Sequence, residues 1–406
     1  MKTIKELKKK DLLGKTVLLR VAYDVPLKQK GKNWVVANGR RIEETVPTIN
    51  FLLKNNCKIV ILSWLGRPSG QVVEKLKMDP VAKKLSQILK KPVAKVDDCV
   101  GLKVSEAVAN LKAGQILMLE NVRFHMEEEK NDKKFAKDLV KGMDLIVFDA
   151  FAQAHRIHSS TIGIIGLLPV YIGMVVEKEL NFLNQILIKP KRPFVVVLGG
   201  AKISDKIGAI ENLAKIADKI LIGGGCANVF IKASGFPVGK SFLEDVFVDK
   251  AKRKKVDFGL LAKKLLAKYS EKIVLPVDFV SAEKADVGAK TELVNLAKSV
   301  IKNDWTFLDI GPETVNDYLG EIKKAKAVLW NGPMGMFEIN KFATGTKRIA
   351  KAIADARAIT VIGGGDTETA AAKYKLEKKF THISTAGGAM LDFLATGNLP
   401  VIKALK

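Results

Sequence analysis

Short apolar runs alternate along the chain with longer segments whose apolar residues recur every three or four positions. TVLLRV, CKIVILSW, QILMLENV and DLIVFDA are mainly apolar stretches of strand length. The segments between them, such as DPVAKKLSQILKK and DKKFAKDLVKG, have the spacing near 3.6 that marks amphipathic helices. Apolar strands separated by helices predict an α/β chain with a mainly parallel sheet. After Leu168 the pattern pauses at PVYIGMVVEKELNFLNQILIKPKRP, which predicts a long helix over 171–190 closed by Pro190 and Pro193. Strands then resume as FVVVLGG, KILIGGG, KIVLPVD, TFLDIG, AVLWNG, ITVIGGG and HISTAGG, and all of these but KIVLPVD run into glycine.

That repetition carries chemistry. In open α/β sheets ligands bind beyond the carboxyl ends of the strands, where glycine lets backbone N–H groups approach a phosphate and the next helix offers its positive end. Any one such glycine could merely permit a tight turn. LGGAK, IGGGCAN, WNGPMG and IGGGDT together predict a nucleotide crevice in the second half. Two standard phosphate motifs are absent: GxxxxGK[ST] fails at Gly14-Lys15-Thr16 because Lys9 stands at the first glycine position, and at Gly239-Lys240-Ser241 because Ser234 does. Neither triple glycine forms GxGxxG.

Composition narrows the picture further. At 406 residues and 48% hydrophobic content the chain can bury sizeable cores, and its length predicts two domains. Cys57, Cys99 and Cys226 are scattered without CxxC spacing, which predicts neither a disulfide framework nor a zinc site. No apolar stretch reaches bilayer-spanning length, and MKTIKELKKKDLLGK lacks an apolar h-region, so a cytoplasmic location is expected. The net charge of +25 raises the possibility of a polyanionic partner. Most lysines nevertheless fall at helical spacings, as in AKKLSQILKK and AKRKKVDFGLLAKKLLAKYSEK, and no nucleic-acid module is recognisable; solvated helix faces and no specific nucleic-acid partner are expected.

Charged residues complete the candidate sites. Lys202 and Lys206, four apart after GGA, would share one helical face beside a phosphate. Asp366 in GGGDTET could cap a helix or hold Mg²⁺ on a nucleotide phosphate, and Glu338 could accept from ribose hydroxyls or act as an N-terminal helix charge. In the first half, Arg20, Arg41, Arg67, Arg123 and Arg156 stand at or near strand ends and turns, where the planar guanidinium suits bidentate binding of phosphate or carboxylate. Together they predict a site for a small, multiply charged anion.

The blocks RVAYDVPLK, RIEETVPTI, LSWLGRP, ENVRFHMEEEKND, DAFAQAHRIHSS, LGGAKISDKI, ILIGGG, LPVDFV, WNGPMGMFE, IGGGDT and STAGGAMLDFL together resemble phosphoglycerate kinases, in that family's order and over essentially the whole chain. The resemblance implies two doubly wound, Rossmann-like parallel-sheet domains: a phosphoglycerate-binding domain over 1–170, a linker helix over 171–190, and a nucleotide-binding domain over 191–389, with the tail 390–406 returning to the first. It implies a monomer that reversibly transfers a phosphoryl group between 1,3-bisphosphoglycerate with ADP and 3-phosphoglycerate with ATP, using Mg²⁺, in glycolysis. Carried over by position, Arg41, Arg67, Arg123 and Arg156 would hold the acceptor beside Ala22, Tyr23, Asp24, Trp64 and Gly66, with Arg20 as structural support. Gly200, Ala201, Lys202, Lys206, Gly224, Gly225, Phe307, Asn331, Pro333, Glu338, Gly364, Gly365, Asp366 and Thr367 would hold the nucleotide, with Asp366 at the metal. Lys202, Arg41, Gly365 and Gly388 would neutralise the phosphoryl group in flight. His125, His155, His158 and His382 are given no catalytic role.

Several positions depart from the family pattern. Trp64 stands where a histidine that contacts the substrate carboxylate is usual, Ala22 and Asp24 where an acid and an amide are usual, and Phe307 and Ala386 at usual glycines. The expectation is an active kinase with an altered acceptor site. Two alternatives stay open: a paralogue that phosphorylates another small carboxylate, and a weakly catalytic nucleotide-binding protein whose basic surface engages nucleic acid.

Overall fold

Every residue of the strand Thr16–Val21 (β1) is buried, as a parallel strand covered on both faces must be. It belongs to the first of two units in the computed structural model, which describes residues 1–249 and 254–406; the units are Met1–Asn181 with Asn398–Lys406, and Phe182–Gly397. A hairpin of β2 (Leu27–Lys30) and β3 (Asn33–Val36) follows β1. Then come β4 (Lys58–Leu62), β5 (Ala94–Lys95), β6 (Ile116–Met118), β7 (Leu145–Asp149) and β8 (Val170–Ile172). Apart from the hairpin these strands form one parallel sheet in the order β5-β6-β4-β1-β7-β8. Alternation assigns its faces: Val17, Leu19, Ile59 and Ile61 enter one core, and Leu18, Val60, Leu62 and Trp64 enter the other. Arg20 is in register with Leu62 and Phe148, so it shares the face of Leu18 and Leu62 and is fully buried.

The helix predicted from 171 starts later, because Val170–Ile172 is an edge strand pairing with β7. Its Val-Tyr-Ile composition suits a pleated edge. Gly173 breaks the run, and a Cβ there would lie 2.2 Å from the Asp149 carboxylate. That carboxylate accepts from Thr48 Oγ1 (2.6 Å) and from the amides of Val175 (2.8 Å) and Val176 (3.2 Å), fixing the start of the helix Met174–Leu187. The division between the units falls inside this helix, after Asn181.

The second unit contains β9 (Phe194–Leu198), β10 (Lys219–Ile222), a hairpin of β11 (Val246–Asp249) with β12 (Lys254–Asp257), and β13 (Ile273–Val274). It continues with β14 (Asp278–Ala282), β15 (Thr291–Asn295), β16 (Thr306–Ile310), β17 (Ala327–Asn331), β18 (Ile359–Gly363) and β19 (His382–Ser384). Its parallel sheet has the order β13-β10-β9-β17-β18-β19, reversing direction between β9 and β17. Two sequence readings are corrected here. TFLDIG, as β16, lies outside the parallel sheet in an antiparallel trio ordered β15-β14-β16. The lysine-rich stretch around 254–257 is strand, and its helix begins only at Phe258, capped by Asp257 Oδ1 on the Leu260 amide (2.8 Å); residues 250–253 lie outside the described ones.

The C-terminal segment divides between the units. The helix Gly388–Thr396 packs on Ile207–Ala214, with Asn212 Nδ2 donating to Leu394 O (2.7 Å). The helix Pro400–Ala404 joins the first unit through the Val401 amide on Ala154 O (3.1 Å). Among the described residues no helix is long and apolar enough to cross a membrane.

Candidate functional site

At the β9/β17 switch point of the second unit opens a cavity of about 210 Å³. This is where an open α/β sheet places its ligand. Gly200, Ala201, Gly224, Gly225, Phe307, Pro333, Glu338 and Asp366, all predicted from sequence, line it. Phe242, Phe279, Met334 and Met336 add apolar wall that sequence reading missed. Phe279 and Phe307 stack at 4.3 Å with an interplanar angle of 7°, so the two rings form an aromatic platform on the cavity wall. The signal for Phe279 was present in LPVDFV, but only the pairing of β14 with β16 makes the two rings neighbours.

The glycine loops are knitted to one another before any ligand is considered. Gly199 donates to Asn331 O (2.9 Å), Gly200 to Pro333 O (2.7 Å), Gly224 to Met334 O (3.0 Å), and Cys226 to Gly200 O (3.0 Å). Gly332, at φ +93°, donates to Thr367 Oγ1 (2.7 Å), and a Cβ on it would sit 2.3 Å from Gly199 O. Close loop packing therefore explains part of the glycine content, and the cavity is the space the interlocked loops leave. Asn331 and Thr367 are buried members of this frame, with Asn331 Nδ2 on Gly363 O (2.7 Å) beside Gly364. Gly365 and Gly388 differ: each is the first residue of a nine-residue helix, and a Cβ on either would meet nothing within 4 Å. A side chain at either position would meet open space.

The lysines do not share a helical face, because the helix begins at Ile207, Lys206 ends the turn over 204–206, and Lys202 precedes that turn. Lys202 is exposed, whereas Lys206 is buried with its amine folded over the Gly200 loop. Asp366 does not cap its helix; its exposed carboxylate stands in the first turn at the cavity wall. Glu338, also exposed, lies in a turn and is no helix charge.

The first unit builds its candidate site from side chains. Beyond β1, Asp24 Oδ1 accepts from the Gly66 amide (2.9 Å) and Asp24 O accepts from Arg41 Nη1 (2.7 Å). Arg123, mostly buried, donates through Nη1 to Gly66 O (2.8 Å) and pairs with Glu129 at 3.2 Å. Burial lowers its pKa, with Glu129 and Asp24 opposing and Arg156 adding to the effect. Arg67 and Arg156 are exposed. Burial and the adjacent Arg156 bring His155 down to about 4, so it is neutral at physiological pH.

Three positions carried over as acceptor contacts are inward. Ala22 is buried, and Tyr23 lies in the core with its hydroxyl 2.5 Å from Thr45 Oγ1. Trp64 is 2% exposed, because its place two residues beyond Leu62 puts it on the Arg20 face of the sheet. Arg20 and Arg123 lie over its ring at 4.5 and 4.1 Å, and His158 flanks it at 5.3 Å. Arg20 Nε donates to Ser160 O and Oγ (both 3.0 Å), and Ser160 donates to the buried Glu128 (2.6 Å). The indole ring attracts each guanidinium laid over it. Glu128 and Ser160, which complete this frame, were missed because their pairing spans distant segments.

The remaining histidines pack or pair: His382 stacks on Phe182 at 4.5 Å, and His125 meets Asp98 at 2.7 Å.

Residues 7–397 match the family described as phosphoglycerate kinase. The chain is 47% identical over 407 residues to a phosphoglycerate kinase of Pelotomaculum thermopropionicum, covering 100% of the chain and 98% of the relative. It is 44% identical to one from Dictyoglomus turgidum, covering 100% and 99%. Among solved structures, phosphoglycerate kinase from Coxiella burnetii superposes with a TM-score of 0.85 at 34% identity, covering 99% of this chain and 98% of that one. The enzyme from Pyrococcus horikoshii superposes at 0.83, also at 34% identity, covering 100% and 98%.

Proposed function

The chain belongs to the phosphoglycerate kinase family, and from that premise we propose how its two units divide the work of that family's reaction. The protein is a phosphotransferase with a carboxyl group as acceptor, interconverting 1,3-bisphosphoglycerate plus ADP with 3-phosphoglycerate plus ATP. The observation that carries the assignment of roles is the cavity at the β9/β17 switch point, with an aromatic platform on one wall and glycine loops on another.

We assign the nucleotide to that cavity: its base beside Phe307, its ribose near Glu338, and its phosphates against Gly200, Lys206 and the open helix ends at Gly365 and Gly388. The acceptor belongs to Arg41, Arg67, Arg123 and Arg156. A carboxylate oxygen of 3-phosphoglycerate attacks the γ-phosphorus, the bond to the bridging oxygen breaks, and ADP leaves. Such acids titrate at about 4, so the nucleophile is ionised without a general base. Catalysis then consists of positioning and charge neutralisation. Lys202, exposed just after the Gly200 loop, is the cation for the transferred group, with Arg41 on the acceptor side. Trp64 acts through Arg123, which it holds in place, rather than by touching the acceptor.

Asp366 fits a hard divalent cation, since it is an exposed oxygen donor at the cavity wall in a helix first turn that also favours phosphate. Mg²⁺ bound there with nucleotide would draw the phosphate oxygens together and offset their charge. Because direct transfer requires the two substrates to meet, we propose that the units close when both are bound, in a cytoplasmic monomer. X-ray scattering profiles that stay unchanged on adding both substrates would contradict closure.

The test is the initial rate of phosphoryl transfer from Mg-ATP across a panel of small carboxylates. Turnover highest with 3-phosphoglycerate supports the reading; a higher kcat/KM for another acid would replace the acceptor assignment.

A further inference from the structure

Beside the turn that holds Arg123, Asp98, Cys99 and His125 bring a carboxylate oxygen, a thiol sulfur and an imidazole nitrogen within 4.8 Å of one another. The first two follow β5 in a loop held to the sheet by the Glu120 amide on Asp98 O (3.1 Å), and His125 follows the turn Val122–Phe124. The imidazole faces the carboxylate: Nε2 lies 2.7 Å from Asp98 Oδ1, a hydrogen bond that a bound ion would replace, and the ring packs on Phe135 at 5.1 Å between centroids. Cys99 is 1% exposed, while Asp98 and His125 are partly open to solvent, so the cluster has an inner sulfur and a solvent-facing side.

We propose that Asp98, Cys99 and His125 bind a thiolate-seeking divalent cation of the Zn²⁺ type, with water as the fourth ligand. One sulfur, one nitrogen and one oxygen from two converging loops match the donors such ions take at about 2.0 to 2.3 Å, whereas Mg²⁺ prefers oxygen ligands alone. Binding replaces the S–H bond of Cys99 by a sulfur–metal bond and releases the proton to solvent, with no change of oxidation state. A consequence that rests on the assignment of Arg123 to the acceptor follows from chain position. Since His125 is two residues after Arg123, the ion would tie the Arg123 turn to the Asp98-Cys99 loop.

Titration of the full-length protein with Co²⁺ tests the site, because a thiolate ligand gives a near-ultraviolet charge-transfer band that oxygen-only coordination at Asp366 cannot. The expected result is a saturable band, displaced by Zn²⁺, lost in Cys99→Ser and requiring roughly 10-fold or more additional metal in His125→Gln and Asp98→Asn. No band in the folded wild type, or a band that survives Cys99→Ser and so arises from Cys57 or Cys226, overturns the proposal. Should Cys99→Ser not fold, the two partly exposed positions decide: unchanged Co²⁺ affinity in both variants overturns it as well.

Discussion

Arg123 and Gly332 each follow closely after the carboxyl end of a parallel strand, β6 for the first and β17 for the second, yet they are held there by different means. Gly332 is fixed by backbone: its amide bonds Thr367, and its Cα lies too near Gly199 for any side chain. Arg123 is fixed by side chains and their partners: Glu129, the Gly66 carbonyl and the face of Trp64. Where the backbone interlocks, as at Gly332 and Gly199, an added Cβ has no room. A site made of braced side chains can be retuned one residue at a time. Three of the positions expected from the resemblance to depart from the family pattern, Ala22, Asp24 and Trp64, lie in the side-chain-built unit, where Asp24 accepts from the Gly66 amide and Trp64 lies under two guanidiniums. Of the two in the backbone-built unit, Phe307 adds a ring to the cavity wall, and Ala386, buried beside Gly387, lies outside the knitted glycine loops.

The comparison can be attacked from its largest consequence downwards. Lys202→Ala removes the cation assigned to the transferred group while touching neither frame, so kcat should fall about 10²- to 10³-fold with both KM values within a few fold of wild type; steady-state kinetics check this. Gly332→Ala forces a Cβ against Gly199 in a left-handed conformation. With strain on the order of 1–3 kcal/mol, ATP affinity should drop roughly 10- to 100-fold while 3-phosphoglycerate affinity holds. Calorimetric titration of each ligand separately reads that split. Trp64→Leu removes two cation–π contacts of about 0.5–2 kcal/mol each from a buried site. Acceptor KM should rise about 5- to 30-fold, ATP KM should stay put, and Trp64→Phe should recover most of the loss. A purely structural role for Trp64 would instead lower kcat and stability without that acceptor-specific shift. Phe307→Leu breaks the pair with Phe279, worth about 0.5–1.5 kcal/mol, and should raise nucleotide KM about 2- to 10-fold with acceptor KM unmoved.

What could be read from sequence, and what could not, follows the same physical divide. β1, β4, β7 and β9 announce themselves because strands buried on both faces are mainly apolar runs, and Met174–Leu187 because its apolar spacing survives over several turns. β8 escaped because three strand residues directly ahead of a helix share its apolar character. β16 was assigned to the wrong sheet because strand pattern carries no information about pairing partner. Lys202 and Lys206 were given helical geometry by spacing alone, and a turn separates an exposed lysine from a buried one. The glycine loops were legible as a site, but their mutual bonding was not, since it joins separate loops, three of the bonds linking residues more than a hundred apart. Trp64 shows the limit most clearly. Its substitution is visible in LSWLGRP, but its role depends on Arg20 across β1 and on Arg123 beyond β6, contacts that only the folded register creates.

The measurement that bears most directly on the division of labour is calorimetric titration of Arg123→Ala with 3-phosphoglycerate and, separately, with Mg-ATP. A charge-assisted contact is worth about 1.5–3 kcal/mol, so acceptor affinity should fall roughly 10- to 100-fold while the Mg-ATP isotherm matches that of the wild type. An unchanged acceptor isotherm, or loss of Mg-ATP binding in the same variant, would contradict the account.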